Sequence, residues 1–201
     1  MLDLNRVLEK MSQSKRNGGI FHSESDFQFQ LAWNIKEMYP DVDVALEYCF
    51  NDGRIDIVIS FPDGKEIPIE LKYFVKPVEG YNLNTQNDTW RVYEVLKDVS
   101  RIERFIEDKK TNGYTIILSN ARIYWRGPSE QNKPNYYNFA LTDGKKLEAN
   151  TPLNWLDPEA TAVTESRKNE IVLNQRYLFN WKDYKMVGNS QFRYLIIESK
   201  S

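Results

Sequence analysis

The chain has 201 residues, enough to bury a sizeable core, and its 41% hydrophobic and 28% charged residues form an ordinary globular balance. The 27 lysines and arginines nearly cancel 29 aspartates and glutamates, which excludes an overtly basic nucleic-acid binder and confines any such surface to a local patch. One cysteine, Cys49, excludes an intrachain disulfide, and one histidine, His22, leaves little material for a Ser/His/Asp triad or a histidine-rich zinc site.

The N-terminus lacks the apolar core of a signal peptide, and no apolar run approaches ~18 residues, so a cytoplasmic protein without a membrane partner is expected. Leu4, Val7, Leu8 and Met11 fall at helical spacing, and the polar run ending in Asn17-Gly18-Gly19 reads as a loop. Ser23 is a good N-cap, with Asp26 three residues on as the acid of a capping box. The helix it opens carries a core stripe of Phe27, Leu31, Ile35 and Met38 and stops before Pro40. Glu24 lies in its first turn. That position suits a dipole-favoured acid, or equally a carboxylate reaching over to a site elsewhere.

From 42 to 50 the residues alternate, with Val42, Val44, Leu46, Tyr48 and Phe50 on one face and Asp43, Ala45, Glu47 and Cys49 on the other. Arg54–Ile59 and Ile67–Tyr73 then read as two strands joined by a Pro62-Asp63-Gly64 turn. Period 2 puts Ile55, Ile57 and Ile59 on one side and Asp56 on the other; Glu70 and Lys72 share a face, roughly 6.6 Å apart along the strand. Strands that pair lie about 4.8 Å apart, so Asp56, Glu70 and Lys72 can converge on one patch. Carboxylates that close repel unless a cation sits between them, and such a pair is how a hard metal such as Mg²⁺ is held.

A polar loop over residues 76–87 follows, in which Gln86 could contact bases or phosphates, though solvation alone accounts for its composition. Residues 89–108 form the strongest helix, with Val92, Val95, Leu96, Val99, Ile102 and Ile106 as its stripe. Trp90, Glu94, Lys97, Arg101 and Arg104 fall opposite. Lys97 and Arg101 could track phosphates, or the acids among them could make this a solvated, salt-bridged face. The apolar run Tyr114–Ser119 has the pattern of a strand buried on both faces, and strand, long helix and strand make a crossover with parallel strands. Arg122 and Arg126 flank Tyr124 and Trp125, a cluster that could stack on bases or hold phosphates, or else pack on the sheet. Beyond it, Tyr137–Leu141 reads as a short strand, 148–170 as irregular, and Tyr177–Trp181 with Phe192–Ile197 as a final hairpin through Gly188-Asn189. With no linker in view, residues 1–201 are read as one domain: a core of about 20–120 and a β-rich extension of about 121–201, in the same sheet or a small second layer.

Asp56, Glu70 and Lys72 suit metal-assisted hydrolysis of a phosphodiester: the carboxylates hold the ion, which polarises the phosphate and acidifies a water, and the lysine orients that water or steadies developing charge. At these residues the sequence resembles the PD-(D/E)XK nuclease superfamily. Asp56 matches the first acid, Glu70-Leu71-Lys72 the Glu-x-Lys, and Glu24 the glutamate of the upstream helix. The resemblance covers about residues 20–120. It implies an α/β, mixed-sheet, restriction-endonuclease-like fold flanked by helices and Mg²⁺-dependent cleavage, with Mn²⁺ as a substitute ion. It also implies a nucleic-acid partner, DNA ahead of RNA, in a restriction or other defence setting. Ile55 replaces the motif's proline, and Pro68 removes a ladder donor and places the start of its strand at an edge or bulge. Two other readings stand beside this one: an inactive nuclease-fold module that binds nucleic acid or a protein, and a plain α/β domain whose Glu70–Lys72 pair is a surface ion pair worth at most ~1 kcal/mol. A homodimer with two paired sites is expected if both strands of a duplex are cut.

Overall fold

The computed structural model describes residues 2–51, 53–85, 91–107, 109–160, 163 and 167–201. Its frame is a six-stranded mixed sheet made of β1 (Asp43–Phe50), β2 (Gly53–Ser60), β3 (Glu66–Phe74), β4 (Gly113–Ser119), β7 (Lys182–Val187) and β8 (Ser190–Ser199), in the order β1-β2-β3-β4-β8-β7. A second ribbon pairs β5 (Lys146–Leu147) with β6 (Tyr177–Leu178).

One face of the sheet is covered by α1 (Leu4–Ser12) and α2 (Glu24–Met38). Their apolar stripes meet Ile57, Ile59, Ile69, Leu71, Ile116 and Leu118 in one continuous core. The Ser23 hydroxyl accepts from the Asp26 N–H, as the sequence predicts, but the Asp26 carboxylate reaches back to the N–H of His22 rather than to that of the cap residue. The opposite face is covered by α3 (Arg91–Ile106), which crosses over from β3 to a parallel β4, and by the C-terminal third of the chain. The predicted crossover is therefore present. Pro68 costs nothing although β3 is central: by strand parity its nitrogen points toward β4, whose pairing with β3 begins only at Ile69↔Tyr114.

Several expectations need correction. Ile55 does not share a face with Ile57 and Ile59; it packs beneath α3 against Ile102 and Phe105, whereas they pack beneath α1 and α2. β1 switches faces in the same way. Val44 joins the α2 side, but Phe50 and Tyr48 lie against Phe105 of α3, with ring centroids 4.9 and 6.1 Å away. The break falls at Glu47, in a left-handed conformation at φ 52°, and the β1–β2 ladder passes from Leu46↔Ile57 to Tyr48↔Ile55 without a Glu47–Asp56 pair. A local change of backbone hand defeats a period-2 reading on both strands.

The extension is both of the things expected of it, differently divided. Residues 137–139 form a 3-10 turn, not a strand, and Tyr177-Leu178 belongs to the small ribbon. The hairpin around Gly188-Asn189 is built from β7 and β8, and β8 lies antiparallel beside β4 within the main sheet. Residues 148–170 are irregular where described, yet Trp155 is buried there against Tyr93 of α3 and Phe139. No helix among the described residues is long and apolar enough to cross a membrane.

Candidate active site

β2 and β3 pair antiparallel from Ser60↔Glu66 to Ile57↔Ile69 and then part. Beyond the parting, the N–H groups of Leu71 and Tyr73 face a cleft where a neighbouring strand would otherwise accept from them. Side-chain carboxylates take that place. Asp56 Oδ2 accepts from the Leu71 N–H at 2.6 Å, and Glu24 Oε2 accepts from the Tyr73 N–H at 2.8 Å. Orphaned backbone donors are costly when buried, and these two acids satisfy them while leaving each carboxylate a second oxygen. Gln28, one turn beyond Glu24 on α2, completes the repair: its Nε2 donates to the Asp56 carbonyl at 2.8 Å and to Glu47 Oε1 at 2.9 Å. The capped start of α2 is thus spliced into the gap, and the loop after β3 is tied to it, with the Asn84 N–H donating to the His22 carbonyl at 2.7 Å and the His22 ring bonded to the Asn82 carbonyl at 2.8 Å.

Glu70 stands opposite Asp56 in the continued register, on the face covered by α3, near enough for each carboxyl group to act on the protonation of the other. The Glu70 side chain is only 2% exposed. From α3, Arg101 Nη1 approaches Glu70 Oε1 at 2.5 Å and Asp98 Oδ1 at 3.1 Å, and donates to the Arg54 carbonyl at 3.2 Å. Lys72 Nζ lies 2.6 Å from Asp98 Oδ2 and donates to the Leu71 carbonyl at 3.0 Å. The result is a chain of alternating charge, Lys72–Asp98–Arg101–Glu70, with Asp56 and Glu24 on its flank. Lys72 acts electrostatically on both of those acids, and Arg91 acts on Glu24 from the start of α3.

Four carboxyl groups in one buried cleft set its proton affinity. Burial, and then the charges of Asp98 and Asp56, push the Glu70 carboxyl up to about 9, against the pull of Arg101 and Lys72. Burial likewise raises Asp56 and Glu24, each opposed chiefly by Lys72. The Lys72 ammonium is desolvated, but the acids around it, Asp98 first, outweigh that and hold its pKa above the usual lysine value. A lysine held this firmly charged cannot serve as a base near neutrality; it can orient an anion or offset developing negative charge.

Among the described residues no three His, Cys, Asp or Glu side chains already stand in a geometry that could hold a metal ion. Mg²⁺ commonly takes one or two protein carboxylates and fills its octahedron with water. Asp56 and Glu70 meet that lower requirement: two neighbouring carboxyls, both with raised proton affinity, form a pair that a divalent cation would relieve. The donor set fits a hard cation.

Of the residues singled out in the sequence, Glu24, Asp56, Glu70 and Lys72 come together. Arg101 comes with them, though not as a member of a solvated face: it is turned into the cleft, and its partners are Glu70 and Asp98. Glu94 likewise pairs with Arg167 of the C-terminal third, not with Lys97. Lys97 is exposed on α3 and takes no part in the ion pairs of the cleft. Arg122 and Arg126 are exposed around the short helix α4 (Ile123–Arg126), but Tyr124 stacks on Phe74 at 4.8 Å and Trp125 packs on Trp181 at 5.6 Å, so neither ring is free to stack on a base. Gln86 lies outside the described residues. Two members were missed. Asp98 sits beside Ile102 and Phe105 on the apolar flank of α3, a polar residue at a core position; Gln28 follows Glu24 at i+4, on the same side of α2. No family model, curated protein or solved structure matches the chain.

Proposed function

We propose that the chain is a metal-dependent nuclease of the PD-(D/E)XK kind, hydrolysing phosphodiester bonds in nucleic acid, with DNA the substrate to test first. The observation that carries this reading is the parting of β2 and β3, which leaves Asp56, Glu70, Glu24 and Lys72 around one cleft. A structural ion pair needs one acid and one base. Here acids outnumber bases at a place where the sheet has given up its own hydrogen bonds to admit them.

In this reading Asp56 and Glu70 hold a divalent cation, Mg²⁺ or Mn²⁺, which when bound supplies a Lewis acid for a phosphate oxygen. Lys72, anchored by Asp98 and the Leu71 carbonyl, keeps its charge and offsets negative charge developing on the phosphate. Glu24 fixes the backbone at Tyr73 and leaves its other oxygen for a water. Gln28 holds Asp56 at its carbonyl, so the carboxylate is aimed by backbone and side chain together.

The test is incubation with plasmid, single-stranded DNA and RNA in Mg²⁺, Mn²⁺ or EDTA, beside Asp56→Ala and Lys72→Ala. Metal-dependent cleavage lost in both variants is expected; cleavage that survives both overturns the site. The engagement of Glu70 by Arg101 and of Lys72 by Asp98 favours one alternative, an inactive nuclease-fold module that binds nucleic acid or a protein. Binding without cleavage of any substrate is its signature.

A further inference from the structure

Three oxygens surround a single nitrogen in the cleft. Glu70 Oε1, Asp98 Oδ1 and the Arg54 carbonyl lie 2.5, 3.1 and 3.2 Å from Arg101 Nη1. That nitrogen carries two hydrogens, so it cannot direct one at each of three acceptors. The arrangement resembles a coordination shell more than a hydrogen-bond pair: oxygens from three elements, β2, β3 and α3, aim at one cationic centre. One of them, Glu70 Oε1, belongs to a carboxylate that the proposed function gives to a metal.

We infer that Arg101 is a built-in counter-ion, which occupies part of the cation site when no metal is bound and is displaced from Glu70 when a divalent cation enters. This rests on the metal-dependent reading above. Arg101 Nη1 stands 2.5 Å from Glu70 Oε1, so a divalent cation bound by the same carboxylate, about 2.1 Å from its ligand oxygen, brings two cationic centres together in a cleft largely out of water, and their repulsion favours the guanidinium leaving. Entry of the ion is therefore expected to break the Arg101–Glu70 pair. Asp98 remains as the second partner of Arg101, at i,i+3 on the same helix, and keeps the displaced arginine near the cleft. Arg101 is 22% exposed, so it has an outward path. Lys72 has no such rivalry with the ion, since its partner is Asp98 Oδ2. Arg101 is thus a positioning residue that holds the empty site together and sets how readily metal loads.

The test is calorimetric titration of Mn²⁺ into the metal-free protein without nucleic acid, comparing the wild type with Arg101→Gln, Glu70→Gln, the double variant and Lys97→Gln. Removing a competing cation should tighten Mn²⁺ binding roughly tenfold in Arg101→Gln, while Lys97→Gln, the same charge change at an exposed site on the same helix, should move it less than about twofold. The gain should vanish when Glu70 is already Gln. Weakened binding in Glu70→Gln with unchanged or weaker binding in Arg101→Gln overturns the inference and leaves the metal reading standing. No binding by the wild type or by Arg101→Gln overturns both. Should Arg101→Gln fail to fold, labelling of wild-type arginines by phenylglyoxal, read by mass spectrometry, decides alone. Mg²⁺ should speed modification of Arg101, and protection or no change refutes the displacement.

Discussion

Replacing Lys72 by Met keeps the aliphatic stem and removes the charge that faces Asp98, Glu24 and Asp56. The Lys72 side chain is 17% exposed and that of Asp98 6%, so this pair is largely out of water. Breaking a buried pair by deleting one partner costs about 3–5 kcal/mol, and because Arg101 still faces Asp98 the expected loss is nearer about 2–4 kcal/mol at about pH 8. The sign of the pH dependence follows from the acids. Glu24 and Asp56 are already raised by burial, and Lys72 is the main force pulling both down. Without it they rise further, and the folded state binds protons that the unfolded state does not. Stability conferred by such protons is present at acid pH and is lost as pH rises through the folded-state values. The destabilisation should therefore shrink to about 1 kcal/mol near pH 5. Urea unfolding in EDTA at the two pH values, with the slope checked for constancy, reads both numbers. A loss below ~1 kcal/mol at about pH 8 is what a solvated surface pair gives, and it would refute the argument, as would a loss independent of pH.

Metal loading should depend on pH through Glu70: its carboxyl, held up to about 9, must release its proton to become a ligand, so Mg²⁺ affinity should climb by up to about tenfold per pH unit and level off above that value. A flat calorimetric profile between about pH 6.5 and about pH 8.5 would remove Glu70 from the ligand set. A second variant addresses the other side of α3. Glu103 is buried and accepts from the N–H groups of Asn174 and Gln175 at 2.9 and 3.0 Å and from the Tyr177 hydroxyl at 2.8 Å. Glu103→Ala strands two backbone donors and should cost about 3 kcal/mol or more, with cleavage by added protease moving into the C-terminal third; a cost under ~1 kcal/mol means those donors find other partners.

What could be read from the residues was whatever depended on local pattern. Ser23 and the stripe through Phe27, Leu31 and Ile35 placed α2, and Glu24 with it, because capping and 3.6-residue periodicity are properties of one segment. The apolar run of β4 after a long amphipathic helix gave the parallel crossover for the same reason. Asp56 and the Glu70–Lys72 pair were found by parity. Parity then failed at Ile55, because the left-handed residue that reverses the faces is Glu47 on the neighbouring strand, and nothing about a glutamate in an alternating run announces φ 52°. Asp98 escapes a stripe that leaves out Phe105. Including that residue widens the buried face by about 60°, which takes in Asp98 and brings Arg101 to its edge. The ribbon and loops beyond residue 121 are set by what covers α3, a long-range fact carried by pairs such as Glu103–Gln175 and Glu94–Arg167.

The last strand has a consequence for the order in which the molecule can form. β8 lies inside the sheet, between β4 and β7, and the Tyr194 hydroxyl bonds to Asn5 of α1 across 189 residues of chain. Lys182 meets the same asparagine, and Lys185 holds the Ser12 carbonyl at 2.6 Å. A helix formed within the first dozen residues therefore has no complete docking surface until the final hairpin emerges from the ribosome. Closing such a long loop costs entropy before any contact repays it, so folding should be slow and concerted, and an elongating chain should expose the apolar side of α1 to chaperones until its closing residues arrive.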